Sequence, residues 1–403
     1  MGDGYDVAII GGGILGLSSA RELLRAHPGL RVGVIEKGSE VAGQQTGHNS
    51  GVIHSGIYYR PGSLKAQFCV DGRTSMVAFC EEHGIAYERC GKLIIANRPE
   101  ELPRLEALYE RGTANGVPGL ELVGPERAVE IEPHVTALQA LWSPATAIVD
   151  FAAVTREYAR HVAEGGGTVE LRTKVLGIRE VGDSVVVETD RGEREAKHVI
   201  NCAGLHSDRI ARLMGVATGL QIVPFRGEYY TLRKEREHLV RGLIYPVPDP
   251  ELPFLGVHFT RNVKGYVEAG PNAVLATARE GYRKRDFDLG DFAETLRFPG
   301  FWRVARREWR TGIDEVNRSL RKSVFTRDLQ QMVPEIREED LTSGGSGVRA
   351  QAVRRDGTLL DDFAIEQSER AVHVLNAPSP GATSSIEIGK HIAALAAEAF
   401  SLR

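Results

Sequence analysis

A glycine-rich turn near the start of the chain carries the clearest chemical signal. Gly11, Gly13 and Gly16 stand between a short apolar run and a helical pattern. In this arrangement Gly11 permits a tight turn, Gly13 lets the backbone approach a pyrophosphate, and Gly16 allows close packing of helix on strand. The helix N-terminus at Ile14 adds free N–H groups and partial positive charge. The turn therefore predicts a dinucleotide site that Gly11, Gly13, Ile14 and Gly16 contact.

An acidic residue ends the next apolar run and completes a βαβ pattern. Glu36 follows Gly16 by twenty residues, the spacing expected of a residue that binds an adenosine ribose. Its carboxylate accepts hydrogen bonds from ribose and repels a 2′-phosphate, which argues against NADP. The alternative, a glycine turn that binds nothing, fits this combination of elements poorly. We also expect the same cofactor to contact Lys37, Val175, Ala203 and Gly204.

Two further segments favour FAD over NAD. Residues 44–51 form a small, polar, glycine-interrupted loop that could run along a longer cofactor. Residues 379–384 precede the final helix, whose N–H groups and dipole could stabilise negative charge on a reduced isoalloxazine. The predicted FAD contacts here are Thr46, Gly47, His48, Asn49, Ser50, Gly51, Pro380, Gly381, Ala382 and Thr383.

Composition excludes several classes of protein. The 403 residues suffice for two to three domains or one large one. With 50 basic and 54 acidic residues the net charge is −4, so no global positive field exists to hold nucleic acid. The four cysteines form no C-x-x-C pair, so we expect reduced thiols, no metal site and a cytoplasmic location. The sequence contains no run of 18 apolar residues, so it predicts no segment that spans a membrane.

The elements that must position these residues alternate in the manner of an α/β protein. Helices are expected over 64–83, 101–114 and 151–163, the last capped by Asp150. Two alternating strands are expected at 173–181 and 184–190. Residues 222–268 are strand-rich, with turns or edges at Pro246, Pro248, Pro250 and Pro253, and a basic helical stretch covers 291–333.

Seven strings across the chain carry a family resemblance. They are 45–59 (QTGHNSGVIHSGIYY), 90–94 (CGKLI), 223–229 (VPFRGEY), 245–248 (YPVP), 254–260 (FLGVHFT), 347–352 (GVRAQA) and 376–380 (NAPSP). In these strings the chain resembles the FAD-dependent L-2-hydroxyglutarate oxidase/dehydrogenase family over nearly its whole length. The resemblance implies oxidation of L-2-hydroxyglutarate to 2-oxoglutarate while FAD is reduced.

The same resemblance implies the fold of D-amino-acid-oxidase-like flavoproteins. It is an α/β fold that pairs a discontinuous, Rossmann-type FAD-binding domain with an α+β substrate domain built on a mostly antiparallel sheet. We expect the FAD-binding domain to comprise residues 1–90, 146–218 and 345–403, and the substrate domain to comprise residues 91–145 and 219–344.

Oxidation of a 2-hydroxy acid requires removal of the hydroxyl proton and transfer of a hydride from C2 to the flavin N5. A neutral imidazole suits the first task because its pKa lies near working pH. His54, just beyond the loop expected at the flavin, is the predicted base; alternatively it only hydrogen-bonds flavin or backbone. His258, on a predicted strand, is the rival base or a substrate donor.

A doubly charged substrate needs two cationic partners, and the planar fork of arginine matches a carboxylate best. Arg349 stands where relatives of the fold carry a carboxylate-binding arginine, and Arg226 is the candidate for the second carboxylate. The alternative for Arg226 is an ion pair with Glu228. The phenolic groups of Tyr58, Tyr245 and Tyr266 are further candidates for substrate hydrogen bonds.

The sequence does not decide what the aromatic and basic segment 297–310 contacts. Trp302 and Trp309 fall at helical spacing among arginines, a pattern that suits either an anionic membrane surface or a core or subunit contact. The location is therefore cytoplasmic or peripheral at the inner face of a membrane. The sequence does not decide the oligomeric state, or whether oxygen or a quinone accepts the electrons. Two alternatives to the implied activity also stay open: a flavoenzyme that acts on another 2-hydroxy acid or an amino acid, and a flavin-binding protein without catalysis.

Overall fold

Two large β-sheets organise the chain. The computed structural model describes residues 4–249 and 255–402, so the predicted turns at Pro250 and Pro253, and Phe254 of the family strings, lie outside the described residues. The strands are β1 (Tyr5–Ile10), β2 (Val32–Ile35), β3 (Val52–Ile53), β4 (Tyr87–Glu88), β5 (Lys92–Ala96), β6 (Glu121–Val123), β7 (Gln139–Ser143), β8 (Ala147–Val149), β9 (Thr168–Glu170), β10 (Val175–Val181), β11 (Ser184–Thr189), β12 (Gly192–Asn201), β13 (Leu220–Leu232), β14 (Leu243–Pro246), β15 (His258–Arg261), β16 (Val267–Gly270), β17 (Val274–Leu275), β18 (Leu341–Arg354), β19 (Ala364–Gln367) and β20 (Ala371–Asn376).

The helices pack against these sheets. They are α1 (Ile14–Ala26), α2 (Leu64–Glu82), α3 (Leu102–Ala114), α4 (Pro125–Ile131), α5 (Phe151–Glu164), α6 (Ser207–Leu213), α7 (Leu289–Arg297), α8 (Pro299–Arg307), α9 (Trp309–Leu320), α10 (Lys322–Gln330) and α11 (Ser385–Ala399). Asp150 caps α5 as expected, because its carboxylate accepts hydrogen bonds from the amides of Ala152 and Ala153. In the described part of the chain, no helix is both long and apolar enough to cross a membrane.

The first sheet has eight strands and contains the predicted βαβ unit. Its order is β10-β11-β12-β1-β2-β9, with β20 beside β12 and β19 beside β20. β1 runs parallel to both β2 and β12, and its last four residues are buried, as a strand covered on both faces requires. α1, α5 and α11 cover one face, where their apolar side chains form a shared core with those of β1 and β2.

The second sheet has nine strands and is mostly antiparallel. Its order is β17-β13-β16-β15-β14-β5-β7-β6, and β18 pairs with β13. Only the β5–β14 pair is parallel among the strand pairs described in this sheet. The boundary predicted at residue 345 falls within β18, a single strand paired with β13 along most of its length. A three-stranded sheet of β3, β8 and β4 completes the fold.

The basic segment predicted as one helical stretch over 291–333 is four helices, α7 to α10. Phe298 is extended (φ −83°, ψ 117°) before Pro299, which begins α8, because a residue that precedes proline is disfavoured in the helical conformation. Glu308 (φ −102°, ψ 20°) separates α8 from α9. Trp302 and Trp309 therefore lie on different helices, and the expectation of one continuous helix through 297–310 is wrong.

Candidate active site

A single large cavity connects residues of both large sheets. Its volume is about 1870 Å³. That exceeds the usual volume of a pocket for one small molecule, about 300–1,000 Å³. It is lined by the glycine turn and Glu36, and also by His54, His258 and Arg349. These dimensions suit an extended dinucleotide with a second, smaller molecule beside one end of it.

The glycine turn is shaped so that side chains cannot be accommodated. Gly11 has a φ of +113°, and a Cβ there would lie 2.4 Å from the carbonyl oxygen of Cys202. A Cβ on Gly16 would lie 2.0 Å from the carbonyl oxygen of Gly11. The hydroxyl of Thr46 accepts a hydrogen bond from the amide of Ile14 at 3.1 Å, which ties the polar loop to the start of α1. The cradle fits a pyrophosphate at a helix N-terminus.

Glu36 lies at the end of β2, where its carboxylate is held by backbone amides. Oε2 accepts from the amide of Gly12 at 2.7 Å and Oε1 from the amide of Gly38 at 2.6 Å. Each carboxylate oxygen has a further lone pair for a ribose hydroxyl. The neighbouring Lys37 forms an ion pair with Glu280. Burial alone would raise the pKa of Glu280, but hydrogen bonds from His206 and Lys37 lower it to about 2.

Most of the predicted cofactor residues line this cavity. Those that do are Gly11, Gly13, Ile14, Glu36, Lys37, Thr46, His48, Asn49, Ser50, Val175, Ala203, Gly204, Pro380, Gly381, Ala382 and Thr383. Gly16 instead packs behind the turn, and Gly51 (φ +68°) lies close to the carbonyl of Val149. Gly47 and Gly51 line a smaller neighbouring cavity of about 170 Å³. These three glycines shape the backbone that surrounds the main cavity.

His54 is held where the chain's early and late segments meet. It follows β3 directly, and its amide donates to the hydroxyl of Thr383 at 3.0 Å. That hydroxyl donates in turn to the carbonyl of Val52 at 3.2 Å. His54 Nε2 lies 3.3 Å from the hydroxyl of Ser379, and its buried Nδ1 has no partner within the described structure. An unpartnered buried nitrogen beside a large cavity marks a place for a ligand.

His258 lies on β15 and is oriented by the backbone. Its Nδ1 lies 2.9 Å from the carbonyl oxygen of Gly256, and because a carbonyl only accepts, Nδ1 carries the proton and Nε2 keeps a free lone pair. Burial lowers the pKa of His258 to about 4, although the bond to Gly256 acts in the opposite direction. Burial also lowers the pKa of His54 to about 3, helped by the charge of Lys92. Both imidazoles are therefore neutral proton acceptors near pH 7.

Arg349 supplies a cation to the same end of the cavity. It lies on β18 opposite Phe225 of β13, surrounded by protein but with its side chain open to the cavity. Burial lowers its pKa, yet an arginine stays charged. Tyr58 and Tyr245 line the cavity beside it, and the Tyr245 ring stacks on His258 with centroids 3.9 Å apart. One cation, two imidazoles and two phenols thus surround the space next to the predicted flavin position.

Two predicted substrate residues do not line this cavity. Side chains alternate along a strand, and because Phe225, Gly227 and Tyr229 of β13 face the cavity, Arg226 points away from it. Arg226 forms an ion pair with Glu228 at 2.9 Å, so the alternative interpretation is the correct one. Tyr266 lies at the smaller cavity.

Sequence reasoning missed the contribution of α3. Arg104 and Arg111 both line the cavity, and Arg111 donates to the carbonyl of Tyr58 at 3.0 Å. Their spacing of seven residues places them on one face of a helix, a signal that was readable in the predicted helix 101–114. Tyr59 and Lys65 also line the cavity and were not predicted. Arg111 replaces Arg226 as the second candidate cation.

One cluster within the described residues has the composition of a metal site. His83, Glu157 and His161 place three potential ligand atoms within 4.8 Å of one another. However, Arg21 donates to Nδ1 of His161 at 3.0 Å, so the Nε2 that faces Glu157 carries the ring proton. Arg160 also occupies the Glu157 carboxylate at 2.6 Å. The ligand atoms of Glu157 and His161 are thus already engaged by arginines and by each other, which leaves His83 alone to offer a nitrogen.

Comparison with known proteins identifies the class to which this fold and site belong. The model of the FAD dependent oxidoreductase (DAO) family matches residues 6–395. The chain belongs to this family, and it is an FAD-dependent enzyme. The L-α-glycerophosphate oxidase of Mycoplasma pneumoniae, solved with FAD bound, superposes with a TM-score of 0.79 at 22% identity, over 97% of this chain and 94% of that one. That likeness confirms the fold.

More similar relatives share a single name. The L-2-hydroxyglutarate dehydrogenase of Indibacter alkaliphilus is 49% identical over 386 residues, which cover 96% of this chain and 97% of the relative. The mitochondrial L-2-hydroxyglutarate dehydrogenase of Homo sapiens is 45% identical over 415 residues, which cover 99% and 90%. The family resemblance deduced from the sequence strings is confirmed.

Proposed function

We propose that this enzyme oxidises L-2-hydroxyglutarate to 2-oxoglutarate. The observation that carries the proposal is that Arg349, Arg111, His54 and His258 all line the same cavity as the glycine turn and Glu36. A dicarboxylate needs two cations, and a hydroxyl that is being oxidised needs a proton acceptor. Relatives 45–49% identical over nearly the whole chain carry this activity in their names, which supports the same substrate.

Each residue then has a defined task. FAD, when bound, accepts the hydride from C2 of the substrate. Arg349 binds one carboxylate and Arg111 the other, which fixes the orientation of C2. His54 takes the hydroxyl proton, since its backbone is tied to Thr383 in the turn before α11, the helix end expected at the flavin. The negative charge of the substrate raises the pKa of the buried imidazoles and so strengthens them as bases.

An anaerobic titration of the purified holoenzyme tests the proposal. L-2-hydroxyglutarate should bleach the yellow colour of the flavin with one equivalent per active site. The D enantiomer, lactate and glutamate serve as controls for stereochemistry, the second carboxylate and the hydroxyl group. Bleaching by the D but not the L enantiomer would overturn the assignment, and equal rates with lactate would remove the need for two cations.

We further propose that α8 and α9 contact a membrane surface and that a membrane quinone accepts the electrons. Trp309, Ile313, Val316 and Leu320 recur along one face of α9, and all four are at least half exposed. Trp302 on α8 is also 56% exposed. Arginines on both helices would attract anionic lipid, while the aromatic and aliphatic side chains enter the interface.

Co-sedimentation with vesicles that contain phosphatidylserine tests this contact. Ile313→Glu should reduce the pelleted fraction severalfold, because a carboxylate opposes both insertion and anionic lipid. Val129→Glu, at a similarly exposed apolar position on α4, is the matched control and should pellet like the native protein. Equal pelleting with neutral and anionic vesicles, or faster reoxidation by oxygen than by a quinone, would argue against the proposal.

A further inference from the structure

Lys92 places a buried positive charge beside the candidate active site. It begins β5, whose five residues are all buried, and its side chain is 1% exposed. Across residues 4–249 and 255–402 its ammonium has no hydrogen-bond or carboxylate partner. Its described neighbours are the rings of Tyr58 and Tyr245, whose centroids lie 4.5 and 5.0 Å from Nζ.

The other buried lysine and arginine side chains in the described ranges are paired with carboxylates. Lys65, also buried, lies 2.9 Å from the carboxylate of Asp361. Arg279 is buried against Asp208. Burial of an ammonium without a counter-charge is strongly unfavourable, and contacts with aromatic faces compensate for only part of that cost. The exception at Lys92 therefore requires an explanation.

The position of Lys92 supplies one. Both tyrosine rings that enclose its ammonium line the main cavity, and its charge lowers the pKa of His54 and of His258. Burial lowers the pKa of Lys92 itself to about 7. The other titratable groups that act on it are the thiols of Cys69 on α2 and Cys90 just before β5. No carboxylate is among them, so an anionic ligand in the cavity would supply the counter-charge that the described protein groups do not.

We propose that Lys92 is a specificity-determining positioning residue, whose ammonium behind Tyr58 and Tyr245 provides the positive charge that selects a dianionic substrate. This inference rests on the proposed function. The charge acts through the two rings rather than by direct contact, and in a low-dielectric interior it attracts a dianion about twice as strongly as a monoanion. Because a lysine titrates where an arginine does not, the selection depends on pH.

The direction of the pH dependence follows from linkage. A bound dianion stabilises the ammonium, so the pKa of Lys92 is higher in the complex than in the free enzyme. Between the two values ligand binding takes up a proton, and affinity falls by up to about tenfold for each unit of rising pH. Below about pH 7 Lys92 is charged in both states, so its contribution to affinity no longer changes with pH.

Glutarate is the probe, since it has both carboxylates but no hydroxyl to oxidise. Its binding to the FAD-loaded enzyme is followed by the perturbation of the flavin spectrum between about pH 6 and pH 9. Affinity of the native enzyme should be constant up to about pH 7 and fall as the pH rises above it. Lys92→Arg should stay flat and tight, whereas Lys92→Met should be flat and at least about tenfold weaker for glutarate, with a smaller loss for butyrate.

A matched control separates charge from packing. Lys322 also lies over a tyrosine ring, 6.0 Å from the centroid of Tyr230, but outside the residues that line the cavity. Lys322→Met should therefore retain native glutarate affinity and its pH dependence. Unchanged affinity and pH dependence in Lys92→Met would overturn the proposal.

Calorimetry of the native holoenzyme tests the inference without any variant. Glutarate binding at about pH 8, measured in two buffers of different ionisation enthalpy, should show uptake of up to one proton. Zero uptake, or no glutarate binding at all, overturns the role of Lys92. A different result would contradict the proposed function alone: glutarate binds with proton uptake, but L-2-hydroxyglutarate does not reduce the flavin.

Discussion

At the scale of single residues, the two imidazoles of the site differ in how they are held. His54 is fixed through its backbone to Thr383, whereas His258 is fixed through its ring to the carbonyl of Gly256. His54→Ala should lower the rate of flavin reduction by about 10²–10⁴-fold, the range for loss of a general base. His258→Ala should mainly weaken substrate binding. Stopped-flow reduction under anaerobic conditions measures both effects, and the opposite pattern would make His258 the base.

The arginines show what the sequence can and cannot predict at this scale. Residue type and local string were enough to find Arg349, which lines the cavity. Residue type and local string did not predict on which face of β13 the side chain of Arg226 lies, because a shift of one residue in strand register turns a side chain to the opposite face. Lys92 stands in the family string 90–94, but nothing local predicts its role, because its burial between two tyrosines arises from strands and loops that are far apart in the chain.

At the scale of elements, the glycine turn is the most exact prediction, since strand, turn and helix are contiguous. Gly16→Ala should sharply reduce the FAD content per chain, because its Cβ would lie 2.0 Å from the carbonyl oxygen of Gly11 and push the turn away from α1. Gly312→Ala is the control: it lies in α9 with no atom within 4 Å of its Cβ, and should slightly stabilise the helix. Flavin absorbance of the purified proteins measures the difference, and a yellow Gly16→Ala protein would contradict it.

The four helices α7 to α10 were the least predictable elements. Their sequences are helix-compatible throughout, so periodicity alone joins them into one stretch. The break at Phe298 was readable from Pro299, since proline restricts the residue before it. The break at Glu308 has no comparable residue signal.

At the scale of the whole molecule, a buried ion-pair network joins α6 to the chain before α7. Arg279 is 2% exposed and its Nη2 lies 2.8 Å from Asp208, itself fully buried, and 3.0 Å from Glu294. Asp208→Asn should lower the free energy of unfolding by about 3 kcal/mol, because it removes the counter-charge of a buried arginine. Urea denaturation measures this loss.

An exposed ion pair provides the comparison for that measurement. Arg127 and Glu130 lie one turn apart on α4 with their carboxylate and guanidinium 2.6 Å apart. Glu130→Gln should change the free energy of unfolding by less than about 0.5 kcal/mol, since solvent screens such pairs. Equal losses in the two variants would mean that the buried network does not hold the elements together.

The hydrogen bond between the His54 amide and Thr383 also constrains when the enzyme can acquire its cofactor. A ribosome that has finished the glycine turn and His54 has still to translate more than three hundred codons before Thr383 emerges. Until then the nascent chain has neither β20 nor the turn before α11, so it cannot enclose the isoalloxazine. We therefore expect the isoalloxazine to be enclosed only after Thr383 has been synthesised, and truncated chains that end before this turn to be colourless.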